Sequence, residues 1–426
     1  MKKTVGQRPR ILIVGGGFAG IRLAQRLARF RVSAEIFLVN RETYQTYTPS
    51  LYEVVCGRHP RLVCFSIPDA LAGTGVVFHQ GTVDKIEFKH QTVTLADGIS
   101  FDYDHLVLAL GMVTNDYGIG GVHDYAFPLK TAQDAWLLRQ HIESEYVAAQ
   151  GRPTAEARRK LRFVIAGGGP TGLELAAGLA EFRRHLSRDF GIPLSTTRIE
   201  ICEAGPELLG GKDPRLISLV RRRLDQLGVK LLTSSPILKD EVKTVVIGKH
   251  HEATETLIWT AGVKVPKLIE ELRGVERQHD GRLLVDGHLR AIGRKNVWVV
   301  GDVAGTPDAG TAQIALRHAD LVAENLRRQL AGLPLAHYEP GTAILVMPLG
   351  ARFAIVRLGN VILRGWAGML VRYLADLRYL LSLFPLSEAL SIWFVRHRPC
   401  PDCRLRLARL IGLEQSQSTD RQNWRR

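Results

Sequence analysis

Two glycine triplets carry the most specific chemistry in the chain. Gly15, Gly17 and Gly20 form G-x-G-x-x-G, and Gly167, Gly169 and Gly172 repeat the spacing. The first glycine of such a turn allows a tight bend and the second lets backbone approach a pyrophosphate. The third lets the following helix pack closely on the preceding strand. The pyrophosphate then rests on the unpaired N–H groups at the helix N-terminus. A lone match of this kind often marks an ordinary turn. Here both matches follow a short β-branched run and open an apolar helical pattern, as the mechanism requires.

A ribose is gripped by a polar side chain about 20 residues further on, at the end of the next strand. The first unit ends that strand with Asn40 and the second with Glu203. Asn40 can accept from a ribose hydroxyl without charge assistance, or can simply shape the turn. Glu203 accepts from the ribose and repels a 2′-phosphate, and the next cation along the chain is Lys212. The second site is therefore expected to prefer NADH to NADPH, and Glu203→Arg to move that preference towards NADPH.

The elements that must present these groups follow from the pattern. Arg10 to Val14 reads as a strand, Ile21, Leu23, Ala24, Leu27 and Ala28 as a helical pattern, and Ala34 to Val39 as a second strand. The same order recurs with Arg162 to Ala166, then Leu173, Leu175, Ala176, Leu179 and Phe182, then Ile199 to Glu203. A buried strand, Leu106 to Leu110, ends at Gly111. A third strand–glycine junction, Asn296 to Val300, runs into Gly301-Asp302. This predicts an α/β chain with two Rossmann-like dinucleotide-binding domains. The expected division is 1–118 and 263–345 for one domain and 119–262 for the other. A C-terminal amphipathic helical region, 346–398, and a basic tail, 399–426, would follow.

Composition narrows the partners. With 46% apolar and 23% charged residues the chain is globular rather than disordered. The formal net charge is +15, and the stretch from Arg352 to Arg426 carries 13 arginines against 5 acids. In that stretch Trp366, Met369, Leu370, Tyr373, Leu377, Leu380, Leu381 and Phe384 recur at helical spacing, with Arg364, Arg372, Asp376 and Arg378 elsewhere. Leu386, Ala389, Leu390, Trp393 and Phe394 repeat the pattern after Pro385. Apolar faces with tryptophan, flanked by arginine, suit helices lying on an anionic lipid surface. Packing against the protein body or a second copy is the plainer alternative. No stretch reaches the roughly 20 apolar residues of a spanning helix, and no nucleic-acid module is evident.

Five scattered cysteines do not make a disulfide framework. Cys56 and Cys64 are eight apart, which does not match the C-x-x-x-x-C pair of disulfide reductases. Cys400-x-x-Cys403 lacks a second pair for a structural zinc, so no metal site is expected.

Two dinucleotide units on one chain imply a flavin–nicotinamide enzyme, and here a family resemblance becomes specific. Tyr47-Thr48-Pro49-Ser50-Leu51-Tyr52-Glu53-Val54 resembles type II NADH:quinone oxidoreductases, of the pyridine nucleotide-disulfide oxidoreductase superfamily. So do Gly167-Gly168-Gly169-Pro170-Thr171-Gly172-Leu173-Glu174, Phe127-Pro128-Leu129-Lys130-Thr131 and Trp259-Thr260-Ala261-Gly262-Val263. Asn296-Val297-Trp298-Val299-Val300-Gly301-Asp302 and Thr311-Ala312-Gln313-Ile314-Ala315 continue the series in order. The resemblance implies non-covalent FAD on the first glycine turn and NADH as co-substrate on the second. Thr48, Pro49, Gly111, Gly262 and Asp302 join the cofactor contacts, with Asp302 at the ribityl or pyrophosphate region. Glu174 is placed near nicotinamide and flavin, and Gln313 beside a quinone pocket. The plainer readings are a helix-dipole carboxylate for Glu174, an ordinary helix-start polar residue for Gln313 and a surface lysine for Lys130. Asn40, where many members carry an acid, puts the FAD ribose contact in question.

The expected reaction is hydride transfer from NADH to FAD, then two electrons to a membrane quinone, without proton pumping. The enzyme would lie peripherally on the cytoplasmic side of the cell membrane, with a homodimer left open. Rival readings are a soluble NADH-dependent reductase of a carrier protein and a nucleotide-sensing flavoprotein with incidental redox activity.

Overall fold

The computed structural model describes residues 8–211 and 213–397; Lys212, Cys400, Cys403 and the basic tail lie outside them. Two five-stranded parallel sheets dominate. In the first, Val297–Val299, His105–Leu108, Arg10–Val14, Glu35–Asn40 and Val77–Gln80 lie side by side in that order. In the second the order is Phe127–Pro128, Thr256–Trp259, Arg162–Ala166, Arg198–Cys202 and Lys230–Leu232. Each glycine turn thus leaves the central strand, and its neighbour is the strand that ends at Asn40 or, in the second sheet, the one that runs directly into Glu203. Ile11, Leu12, Ile13 and Val14 are at most 1% exposed, as expected for strands covered on both faces.

Each parallel sheet carries a three-stranded antiparallel meander. Val83–Glu87, Thr92–Leu95 and Ser100–Asp102 form one; Ile237–Glu241, Thr244–Ile247 and His250–Ala253 form the other. The duplication expected from the glycine turns therefore extends to whole α/β units. A short antiparallel pair, Val113–Thr114 with Val263–Lys264, joins the segments that pass between them. Helix starts follow local chemistry. Thr131 and Asp134 form a reciprocal capping box on Ala132–Ala149, with hydrogen bonds of 3.0 and 2.8 Å. Pro170 occupies the first turn of Pro170–Phe190, and Gly191, at φ +67°, ends that helix.

The C-terminal region contains a sheet absent from the sequence reading. Leu345–Pro348, Ala354–Leu358 and Val361–Gly365 form an antiparallel meander, with Gly359 at φ +57° in its second turn. Helices Trp366–Leu383 and Leu386–His397 follow. The apolar positions singled out in the sequence divide between two faces: Met369, Leu380 and Phe384 are buried, and Trp366, Leu370 and Leu381 are exposed. Arg372 and Asp376, placed off the apolar face in the sequence, point inward with Met369, Tyr379, Leu380 and Leu383. Trp366 is 77% exposed, and Leu370, Leu374, Leu381, Leu386 and Phe394 are exposed with it. One face of the pair packs on the body and the opposite, apolar face is open. Charge can face inward here because the protein body supplies carboxylate and hydroxyl partners.

Candidate functional site

The two glycine turns have one geometry. Gly15 and Gly167 adopt φ of +112° and +105° and lie against the backbone of Ala109 and Ala261. A Cβ on Gly20 would fall on the carbonyl oxygen of Gly15, and one on Gly172 on that of Gly167. Both are third-glycine positions where helix meets strand. Gly17 and Gly169 have ordinary extended backbone, φ −83° and −81°, and a Cβ there would meet nothing within 4 Å. The space in front of each second glycine is therefore open. Neither helix has a side-chain cap, so the first-turn N–H groups face that space unbonded by a capping side chain. The cradle fits a pyrophosphate twice.

Asn40 and Glu203 brace these turns in matching ways. The amide oxygen of Asn40 accepts from Gly16 N–H at 2.8 Å, and its Nδ2 donates to the Glu42 carbonyl at 2.8 Å. Glu203 accepts from Gly168 N–H and from Gly205 N–H, each at 2.7 Å. Asn40 reproduces the acceptor half and replaces the second acceptor contact by a donor. Both residues thus shape the turn, and each oxygen keeps a lone pair for a hydroxyl.

This double role changes the test of nucleotide preference. Glu203→Arg removes both braces and so mixes turn damage with altered charge. Glu203→Gln keeps one of the two acceptor contacts and removes the charge, so it disturbs the turn less than arginine does while abolishing the repulsion. We expect it to raise the NADPH-to-NADH ratio of kcat/KM by about tenfold, roughly 1.4 kcal/mol of lost discrimination. Steady-state rates with the two nucleotides check this, and an unchanged ratio removes Glu203 from the ribose.

The other candidates surround the first turn. Asp302 sits in the helical turn Gly301–Val303, and His318, fully buried, accepts from Gly301 N–H through Nδ1 at 3.1 Å. Burial lowers the His318 pKa to about 4, so the neutral ring holds the Asp302 turn across the physiological range. Lys130 is half-buried rather than a surface lysine. Burial lowers its pKa while Asp302 pulls it back up, which places the two charges in one field. Thr48 and Pro49 occupy a short helical turn whose Pro49 carbonyl accepts from Arg372 at 3.2 Å. Gly111, at φ +64°, is open, and a Cβ on Gly262 would strike the Tyr117 hydroxyl. The Gln313 amide is committed at both ends to the backbone of Ile344, at 2.8 and 3.0 Å. It therefore secures the segment leading into Leu345–Pro348.

Glu174 lies in the second turn of Pro170–Phe190, in the field of Glu53, Tyr52 and Arg372. Loss of water raises its pKa to about 8; Glu53 pushes the same way and Arg372 opposes both. The carboxyl therefore holds its proton at neutral pH. The thiols of Cys56, Cys64 and Cys202 are free, and burial raises all three, those of Cys64 and Cys202 to about 12. None is a thiolate at neutral pH.

Behind the site lies a cluster that sequence reasoning missed. Asp376 bonds Arg372 at 3.2 Å, Arg396 at 3.6 Å and His397 at 3.7 Å, and accepts from the Tyr47 hydroxyl at 2.6 Å. Arg372 and Arg396 both reach Ser50, and Arg372 also faces Glu53 at 3.6 Å. The signal was present: Tyr47 to Glu53 lies in the quoted motif, and Arg372 and Asp376 are one helical turn apart. Nothing in the sequence aligns segments some 330 residues apart.

A family model described as pyridine nucleotide-disulphide oxidoreductase matches residues 9–319. The type II NADH:quinone oxidoreductase of Staphylococcus aureus is 30% identical over 347 residues, covering 78% of this chain and 85% of that protein. The enzyme of that name from Staphylococcus haemolyticus is 29% identical over 360 residues, covering 81% and 88%. Among solved structures, NDH2 from Plasmodium falciparum, in complex with NADH, superposes with a TM-score of 0.81 at 18% identity, covering 92% and 98%. The sulfide:quinone oxidoreductase of Aquifex aeolicus gives a TM-score of 0.76 at 18% identity, covering 93% and 98%. These two structures share the fold.

Proposed function

This chain belongs to the type II NADH:quinone oxidoreductases, within the pyridine nucleotide-disulphide oxidoreductase family, and from that premise we propose that it oxidises NADH and reduces a membrane quinone through FAD. The observation that carries the reading is the pair of equivalent, open glycine cradles, one closed by Asn40 and one by Glu203. FAD is assigned to the first cradle, held without a covalent bond by Gly15, Gly17, Gly20 and Asn40. Thr48, Pro49, Gly111 and Asp302 complete its surroundings. NADH is assigned to the second, with Gly167, Gly169, Gly172, Glu203 and Gly262. When bound, the flavin supplies two-electron chemistry between nicotinamide and quinone.

The chain's own residues supply alignment and a proton. The two helix N-termini fix the two pyrophosphates, and with them the approach of the reactive rings. Lys130 and Asp302 set the charge beside the first cradle, and the Gln313–Ile344 pair holds the segment that would border the quinone. Glu174 keeps a proton on its carboxyl at neutral pH, and the overall reaction takes up one proton from the protein or solvent. We therefore expect quinone reduction to decline above about pH 8, by roughly tenfold at one unit beyond it. Glu174→Gln should remove that limb from the pH profile; an unaltered profile takes Glu174 out of proton transfer.

The exposed apolar face of the two C-terminal helices is assigned to the lipid surface, so that the enzyme lies peripherally on the cytoplasmic side, where NADH is available. Among the described residues no helix is long and apolar enough to cross a membrane. Ion translocation is no part of the proposed reaction, and proteoliposomes with an entrapped pH dye test that point. A second copy covering the same face would appear as a dimer that withholds these helices from lipid.

The decisive experiment is anaerobic. NADH should bleach the bound flavin, and a short-chain quinone should restore its colour without a protein carrier. Rapid bleaching with no return on quinone addition overturns quinone reduction. It would favour a carrier-protein reductase or a nucleotide-sensing flavoprotein.

A further inference from the structure

The apolar face ends at a basic cleft. Helix Pro214–Gln226 and the last C-terminal strand enclose a cavity of about 260 Å³ lined by Arg222, Arg223, Gln226, Phe353, Arg364 and Gly365. Three guanidinium groups and an amide converge there, and no carboxylate lines it. Arg223 is fixed: it donates to the Leu349 carbonyl and to Glu181, each at 3.0 Å, and lies over the Phe353 ring at 4.8 Å. Glu181 is itself held by Ala351 N–H at 2.6 Å. Arg222 and Arg364 are exposed and have no acidic partner among the described residues. The cleft thus pairs one anchored guanidinium with two unneutralised ones.

Its position points to the ligand. Gly365 lines the cavity and immediately precedes Trp366, the first and most exposed member of the open apolar face. An anion in the cleft therefore sits at the edge of that face, one residue from a tryptophan suited to the headgroup region. A planar guanidinium fork matches a phosphate better than a lysine ammonium does, and each basic group near an anionic membrane adds to binding. We infer that the Arg222–Arg223–Arg364 cleft binds the phosphate of an anionic phospholipid headgroup, setting the docking angle of the C-terminal helices. This inference rests on the membrane assignment above.

The test uses the full-length flavoprotein and co-flotation with vesicles. One set is pure phosphatidylcholine; the other contains phosphatidylglycerol at a quarter of the lipid. Wild type should bind the anionic vesicles more tightly, and R222Q/R364Q should weaken that binding about 20-fold while leaving binding to neutral vesicles unchanged. NADH oxidation with a water-soluble acceptor reports that the variant is folded. The variant R29Q/R158Q, which removes two exposed arginines elsewhere, should lose little. Equal losses in both variants, or undiminished binding of R222Q/R364Q, overturn the cleft while leaving the apolar face intact. Tight binding of inorganic phosphate by wild type, competing fully with the anionic vesicles, would overturn it by assigning the cleft to a free phosphate. Failure of wild type to bind either vesicle overturns the membrane assignment itself.

Discussion

Asp376→Ala should lower the stability of this chain by about 3–5 kcal/mol, the cost of breaking a buried ion pair by removing one partner. Asp376 is 1% exposed and is the only carboxylate within salt-bridge reach of both Arg372 and Arg396 among the described residues. Arg396 is equally buried, and its Nε and Nη1 have no hydrogen-bond partner among the described residues. Removing Asp376 would leave that guanidinium facing Ser50 and the Tyr47 ring alone. Arg372 would keep Glu53, Ser50 and the Pro49 carbonyl. The loss should therefore fall mainly on the last helix, Leu386–His397, and then on its seat against Tyr47 to Glu53.

Acid should act in the same direction. Arg372 and Arg396 overcome the cost of burial and hold the Asp376 carboxyl well below its ordinary value. A depressed carboxylate contributes stability above the unfolded value of about 3.9, and that contribution is lost as pH falls below it. The Asp376→Ala variant should accordingly lose the part of the acid limb due to this residue. Urea unfolding at pH 7 and pH 3 measures both effects; a loss below about 1 kcal/mol at pH 7 would refute the account. Activity supplies a second readout. NADH oxidation with a water-soluble acceptor should fall less than quinone reduction, because the C-terminal helices touch the first cradle's helix through the Gln25–Leu383 bond and the Phe18–Tyr379 contact, whereas the loss at Asp376 falls mainly on Leu386–His397.

Gly169→Ala and Gly17→Ala should each fold normally and bind their nucleotide poorly. Each position has ordinary backbone angles and no protein atom within 4 Å of an added Cβ. The methyl group therefore meets nothing until a pyrophosphate arrives. Crowding of that kind costs about 2 kcal/mol, roughly 30-fold in affinity. For Gly169→Ala the expected result is a raised KM for NADH with normal flavin content and an unchanged thermal midpoint. For Gly17→Ala it is loss of flavin during purification from a protein that still unfolds cooperatively. The third glycines behave differently: alanine at Gly20 or Gly172 collides with a backbone carbonyl in the free protein, so folding fails before binding is reached. Normal NADH affinity in Gly169→Ala would move the pyrophosphate away from this turn.

Those glycine positions were legible because their constraint is local. A turn that must pass between strand and helix while leaving room for a phosphate needs glycine at fixed spacings, whatever surrounds it. The same holds for the strand-end residues Asn40 and Glu203, whose register follows from two adjacent parallel strands. Sequence therefore determined the α/β class, the doubled cradle and the identity of the residues closing each one. It also placed Glu174 on the helix that opens at the second cradle, because helical numbering carries a residue from Gly172 to Glu174 without further information.

Tertiary structure alone decided the rest. Lys130 and Asp302 are 172 positions apart, follow strands of two different sheets, and share one electrostatic field only because the fold brings those strand ends near each other. The C-terminal helices show the limit most plainly. Periodicity reveals that a helix has two faces but not which one is inside, since that depends on what the body offers as partners. Here the body offered Tyr47, Ser50 and Glu53, so Arg372, Asp376 and Arg396 turned inward and the apolar side chains beginning at Trp366 were left outside. Charge could be buried only because complementary groups from a distant segment were already in place.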